Sequence, residues 1–304
     1  MKRLFYLYFL LIAFSACESP ADVELSPSTP TLVVDAFIND RSEDQFIILN
    51  FSQSFFSNEQ YQPASGALVA IADDQGNPPL LFTETGNAGE YVWQPTIDKP
   101  TIGDVGANFT LNIEFQGEVF TATTKMSRTT PIQEIQFYEE EIPFSDELIY
   151  EGRFTARDLP GLGDAYWVKT FWNGEFLGNP SELNIAFDAG LSPGGGIDGR
   201  EFIIPIRAGI NPTGEDEAFE LGDLVKVEIH SISREAYNYF IELQIQTDRP
   251  GGFAELFAQP LANLDSNIRP LLNTDTQVLG FFSVSSVSQL EVTFTEDLIV
   301  AQED

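Results

Sequence analysis

The sequence predicts a mainly β protein: an N-terminal Ig-like β-sandwich followed by a second β-rich domain with one packed α-helix. Three observations carry this expectation. From Thr31 onward the dominant hydrophobic period is two rather than 3.6. The apolar runs are short, rich in β-branched and aromatic residues, and bounded by Gly, Pro, Asn or Asp. One stretch alone, Arg234–Thr247, has clear helical spacing.

In the first domain, 31–127, strands are expected at 31–38, 45–52, 67–73, 80–84, 90–94, 107–115 and 118–126. Asp74-Gln75-Gly76-Asn77 and Gln116-Gly117 supply turn chemistry, and the second closes a tight hairpin. Seven short strands in about a hundred residues suit a sandwich. The small, polar stretch 127–131 ends in Pro131 and marks a boundary. In the second domain, 131–304, strands are expected at 132–138, 149–156, 166–172, 182–188, 201–206, 224–232, 278–284 and 290–294. Ser233 is placed to cap the helix, and Ala236, Phe240, Leu243 and Tyr239 give it an apolar stripe.

The N-terminus reads differently. Met1-Lys2-Arg3 is basic, 4–14 is apolar, and Ser15-Ala16 are small residues ahead of Cys17. This is the layout of a secretory signal, and the run is too short for the roughly twenty residues of a membrane span. Cys17, the only cysteine, stands at the cleavage point, as in the bacterial lipoprotein signal, although Phe14 occupies a place where Leu is commoner. Residues 1–16 are thus expected to be removed and Cys17 lipidated, with 17–30 as a polar tether holding the body off the bilayer. The alternative is an ordinary cleaved signal with a chance cysteine.

Composition narrows the chemistry. The 304 residues contain 15 Lys+Arg against 47 Asp+Glu, a net charge of −32. Loss of residues 1–16 takes Lys2 and Arg3 with it and leaves −34. Such a body repels phosphate, so nucleic acid and anionic lipid are poor partners, and membrane contact is expected through the lipid alone. One cysteine and one histidine exclude internal disulfides, zinc fingers and histidine-cluster metal sites. No cofactor motif accompanies them.

Of the residues able to do chemistry, His230 is expected on the solvent side of its strand, with Lys226 and Glu228, opposite Val225, Val227 and Ile229. No nucleophile motif accompanies it. Gly194, Gly196 and Gly199 match G-x-G-x-x-G, but a loop precedes them and a strand is expected next, so no helix N-terminus awaits a pyrophosphate. Glu139-Glu140-Glu141 and Glu215-Asp216-Glu217 read as solvated charge runs rather than paired catalytic acids. Asp73, Asp74 and Asn77, or the acids 215–217, are weak calcium candidates without EF-hand spacing. The densest aromatic group is Tyr166, Trp167, Phe171 and Trp172. Tyr166, Val168 and Trp172 share one strand face, and Trp167 and Phe171 the other. The second face either packs under the helix, which is favoured, or forms an exposed binding platform.

In order along the chain stand Leu32-Val33-Val34-Asp35-Ala36-Phe37-Ile38, Phe109-Thr110-Leu111 through Gly117, Phe120-Thr121-Ala122-Thr123-Thr124 and Pro131-Ile132. Asp158-Leu159-Pro160-Gly161, Tyr166-Trp167, Gly222-Asp223, Ile232-Ser233-Arg234-Glu235-Ala236-Tyr237, Asn267-Ile268 and Val278-Leu279-Gly280-Phe281-Phe282-Ser283 follow. With the lipoprotein start, this order resembles the Bacteroidota lipoprotein family catalogued as domain of unknown function 4249. Trp167 departs from it, standing where a second Tyr is expected. The resemblance implies an outer-membrane lipoprotein and an accessory role beside a TonB-dependent receptor. The acidic body fits the cell exterior, with the periplasmic face of the outer membrane as the alternative. It brings no catalytic residues and no cofactor. A carboxylate-based extracellular hydrolase and a structural envelope lipoprotein are the alternatives.

Overall fold

Alternation of apolar and polar residues shapes the first element. In β1 (Leu32–Asn39) of the computed structural model, Leu32, Val34, Ala36 and Ile38 are buried, while Val33, Asp35 and Phe37 point the other way. The described residues are 29–300 apart from 55, 56, 58, 142–147, 215, 216, 250, 253–256 and 274. The signal, Cys17 and most of the tether lie outside them, as do Glu215 and Asp216.

The same alternation builds β2 (Gln45–Phe51), β3 (Leu68–Asp73), β4 (Leu80–Glu84), β5 (Glu90–Trp93), β6 (Asn108–Phe115) and β7 (Glu118–Lys125). All seven strands expected in this part of the chain form. Gln116 and Gly117, at φ 51° and 81°, make the tight turn between β6 and β7.

The second part contains β8 (Ile132–Glu141), β9 (Leu148–Ala156), β10 (Ala165–Trp172), β11 (Glu175–Phe176), β12 (Asn184–Phe187) and the short helix α1 (Ile204–Ala208). Then come β13 (Leu224–Ile232), α2 (Arg234–Thr247), β14 (Arg269–Pro270), β15 (Val278–Ser285), β16 (Val287–Thr293) and β17 (Ile299–Val300). The protein is mainly β. The strand expected at 201–206 does not form. Pro205 has no N–H to give a ladder but suits a first helical turn, so the chain enters α1 instead.

Nine strands form one sheet in the order β14-β7-β6-β3-β4-β5-β2-β1-β15. β4 pairs with both β3 and β5, and Ser127, just past β7, bridges Ser285 at the far edge. The sheet therefore curls around a single core that includes Val34, Ile47, Leu49, Phe109, Leu111 and Phe282. β15 lies beyond the boundary expected at 127–131, yet it pairs in parallel with β1, and Ile268, Val278, Phe282 and Val284 pack in this first core. The two halves of the chain are thus joined by a strand. Gly280 permits the join: opposite Val34, at φ 90°, a Cβ there would stand 1.9 Å from the Val34 carbonyl oxygen.

A second sheet, β11-β10-β13-β16 with β12 also on β10, packs against the sheet β17-β8-β9. Phe137 stacks on Phe294 at 3.8 Å between them, with Phe154, Tyr166, Phe202 and Phe219 nearby. A third cluster lies where the halves meet. Ala236, Tyr237 and Phe240 of α2 pack there with Ile185, Phe187 and Phe281. The Ser233 hydroxyl accepts a hydrogen bond from the Ala236 N–H at 3.1 Å and caps α2, an interaction worth about 1 kcal/mol. Among the described residues no helix is long and apolar enough to cross a membrane.

Candidate functional site

β10 and β13 run antiparallel with Trp167 opposite His230, Lys169 opposite Glu228, and Phe171 opposite Lys226. Those six side chains share one face. The other face, with Tyr166, Val168, Val225, Val227 and Ile229, enters the second core. The four aromatics singled out in the sequence are therefore divided, because neighbours on a strand point to opposite sides. Tyr166 is fully buried and donates its hydroxyl to Asp158 at 2.6 Å. Trp172, half-buried, meets Phe219 edge-on at 5.8 Å. Phe171 lies under the Lys226 ammonium at 3.9 Å. Only Trp167 reaches the junction of the two halves.

There a groove of about 610 Å³ opens. Phe37 of β1 and Phe281 of β15 form one wall, Trp167 and Phe176 another, and Tyr239 and Phe240 of α2 a third. The rings interlock: Trp167 lies 4.6 Å from Phe240 and 5.7 Å from Phe37, and Tyr239 lies 4.7 Å from Phe281. Asn179, Glu182 and Thr247 line its rim, where Glu182 accepts from the Asn179 and Thr213 main-chain N–H groups and Thr247 donates to the Leu243 carbonyl. Three further polar groups face the space without such bonds. Asp35 projects from the outward face of β1 and Lys169 from β10, and Tyr239 brings its hydroxyl from α2. Asp35 stays accessible through the groove, yet the surrounding protein mass removes enough water to raise its carboxyl; the Lys169 charge opposes this. Desolvation lowers Lys169 in turn, against the pull of Glu228, Asp35 and Glu43. Burial and the Asp35 charge raise Tyr239.

The Lys169 ammonium rests on the Trp167 ring at 4.1 Å. Among the described residues neither Asp35, Lys169 nor the Tyr239 hydroxyl has a hydrogen bond or an ion pair. Aromatic walls with a few convergent polar groups are the usual makeup of a small-molecule site.

Beneath the groove lies a buried ionic knot. Glu228 accepts from Arg41 at 2.5 Å and Lys226 at 2.9 Å through one oxygen, and lies 2.9 Å from His230 Nε2 through the other. Burial alone would raise Glu228, but hydrogen bonds from His230 and Lys226 hold it at about 2. His230 is not on a solvent face: it is 6% exposed, and desolvation lowers its pKa despite the carboxylate beside it. Its strand face is covered by Trp167 and the loop bearing Arg41, a tertiary contact that strand alternation does not reveal.

The carboxylates expected as calcium candidates are occupied by amide donors. Asp73 accepts from Gln75, the Asn77 main chain and the Asn77 side chain, and Asp74 accepts from both nitrogens of Asn108. These bonds shape the turn and lower both acids. A different group converges: Asp158, Asp188 and Asp198 bring carboxylate oxygens within 4.8 Å of one another. These three residues could hold a hard cation. Each already accepts a hydrogen bond from the protein: Tyr166 and Gly199 serve Asp158, Gly163 serves Asp188, and Gly161 serves Asp198. They come from two distant loops, so no spacing in the sequence announces them.

The sequence carried a signal for Asp35 and Lys169 that is visible once the groove is known. Each is a lone charge between apolar neighbours on the same strand face, Val33 and Phe37 for one and Trp167 and Phe171 for the other.

Comparison with protein families matches residues 18–291 to the family described as Domain of unknown function (DUF4249). The chain belongs to that family. A search of curated proteins gave no match. The span matched by this DUF4249 member contains all three walls of the groove and the whole ionic knot.

Proposed function

We propose that this DUF4249 protein is a lipid-anchored binding and docking protein of the outer membrane, an accessory of a TonB-dependent uptake receptor. The observation that carries the binding role is the aromatic groove between the two halves, which holds a carboxylate, an ammonium and a phenol that have no hydrogen bond or ion pair among the described residues. The lipoprotein-like start at Cys17 supports the anchor, and the −34 body suits a tethered, soluble domain. The receptor follows from the family resemblance.

Two measurements test the proposal. Crosslinking in intact membranes should capture a TonB-dependent receptor in stoichiometric amount with the full chain. Cys17→Ser should shift the protein to the aqueous phase on detergent partition. A variant that partitions like wild type removes the anchor, and crosslinked products without a receptor remove the accessory role.

A further inference from the structure

The groove also points to its ligand. Three charged side chains line it; Glu182 is engaged by the Asn179 and Thr213 N–H groups, which leaves two opposite charges from different halves of the chain, Asp35 from β1 and Lys169 from β10, that form no ion pair with each other. Both charges are open to the groove and neither is neutralised by an ion pair, so a guest that carries one charge of each sign can match both with charge-assisted hydrogen bonds. The rest of the lining is predominantly aromatic and aliphatic, which favours apolar side chains between the charged ends. The body as a whole is strongly acidic, which disfavours a ligand of net negative charge.

We infer that the groove binds a short zwitterionic peptide with apolar side chains, its ammonium on Asp35 and its carboxylate on Lys169. The inference rests on the groove being a ligand site. Tyr239, whose hydroxyl is free beside Asp35, supplies a further hydrogen bond to the peptide's amino end. The Trp167 ring backs the Lys169 ammonium and keeps it directed at the carboxylate. A neutral sugar would use the aromatic walls but leave both charges unmatched.

The test is calorimetric titration of the full lipidated chain in detergent with free phenylalanylleucine. Parallel titrations use its N-acetyl form, its C-terminal amide and maltotriose. The free dipeptide should bind saturably with one site per chain. Blocking either end should weaken it by about tenfold or more, as expected for loss of one charge-assisted hydrogen bond. Asp35→Asn should abolish the penalty for acetylation, and Lys169→Met the penalty for amidation. Both variants should melt near wild type, because Asp35 holds no hydrogen bond or ion pair among the described residues and Met keeps the length and packing of the Lys169 stem against Trp167.

Equal binding of blocked and free peptide overturns the zwitterion. Tighter binding of maltotriose overturns it in favour of a sugar. No saturable heat with the free dipeptide at millimolar concentration overturns it as well. Receptor capture is scored separately: capture without dipeptide binding leaves the docking role and removes the ligand class. Dipeptide binding without capture does the reverse.

Discussion

Replacing Glu228 with Gln tests the ionic knot that ties the Arg41 loop of the first half to β13 of the second. Glu228 is 4% exposed and its carboxylate meets Arg41, Lys226 and His230. A carboxyl taken on folding from its ordinary 4.5 to about 2, at about 1.4 kcal/mol per pH unit, contributes about 3 kcal/mol. Breaking a buried pair from one side costs a similar amount, about 3–5 kcal/mol. Glu228→Gln should therefore lose about 3 kcal/mol at pH 7, seen in urea as a lower midpoint with an unchanged slope.

The pH dependence distinguishes charge from packing. Glu228 binds its proton more weakly in the folded state, so its contribution is complete above about 4.5 and is lost as pH falls toward 2. The gap between wild type and variant should hold from pH 7 to about 5 and close below that. His230 acts in the same direction at higher pH. Its folded pKa lies below 6.5, so acid favours the unfolded chain as pH falls through that value. A double-mutant cycle with Arg41→Ala should show coupling of about 1–3 kcal/mol, since the two side chains touch. A gap under about 0.5 kcal/mol at neutral pH, or one unchanged at pH 3, would refute the account.

Gly280→Ala should cost about 3 kcal/mol or more, because its Cβ would collide with the Val34 carbonyl at the β1–β15 join. Gly106→Ala, at a similar φ of 95° with open space around it, should cost only about 1 kcal/mol; equal losses in urea melts would show that the close approach is not what matters. At neutral pH the melting temperature should rise from low to moderate salt, because screening relieves self-repulsion in a chain of net charge −32. A flat or falling profile in scanning calorimetry would mean that the acids are already compensated.

Much of the secondary structure was legible because its causes are local. The seven strands before Lys125, the Gln116-Gly117 turn and helix α2 with its Ser233 cap follow from side-chain alternation, from residues that accept positive φ, and from a hydroxyl at a helix start. The division of Tyr166 from Trp167 also follows from period two. Pro205 was a local signal too, and it correctly argues against the strand expected at 201–206.

Pairing across the chain was not legible. Nothing near Val278 indicates that it will run parallel to a strand more than two hundred residues earlier, and alternation shows only that a face differs from its opposite, not what covers it. For that reason His230 was expected in solvent and lies buried on Glu228, and Asp158, Asp188 and Asp198 converge without any motif. The sequence by itself determined the β-rich character, the individual strands and helix, the acidic surface and the lipoprotein-like start, because period, turn chemistry and charge are properties of neighbouring residues. Only the tertiary structure decided the β1–β15 join, the ionic knot and the groove that sets Asp35 before Lys169, because each depends on long-range packing that brings together residues from both halves of the chain.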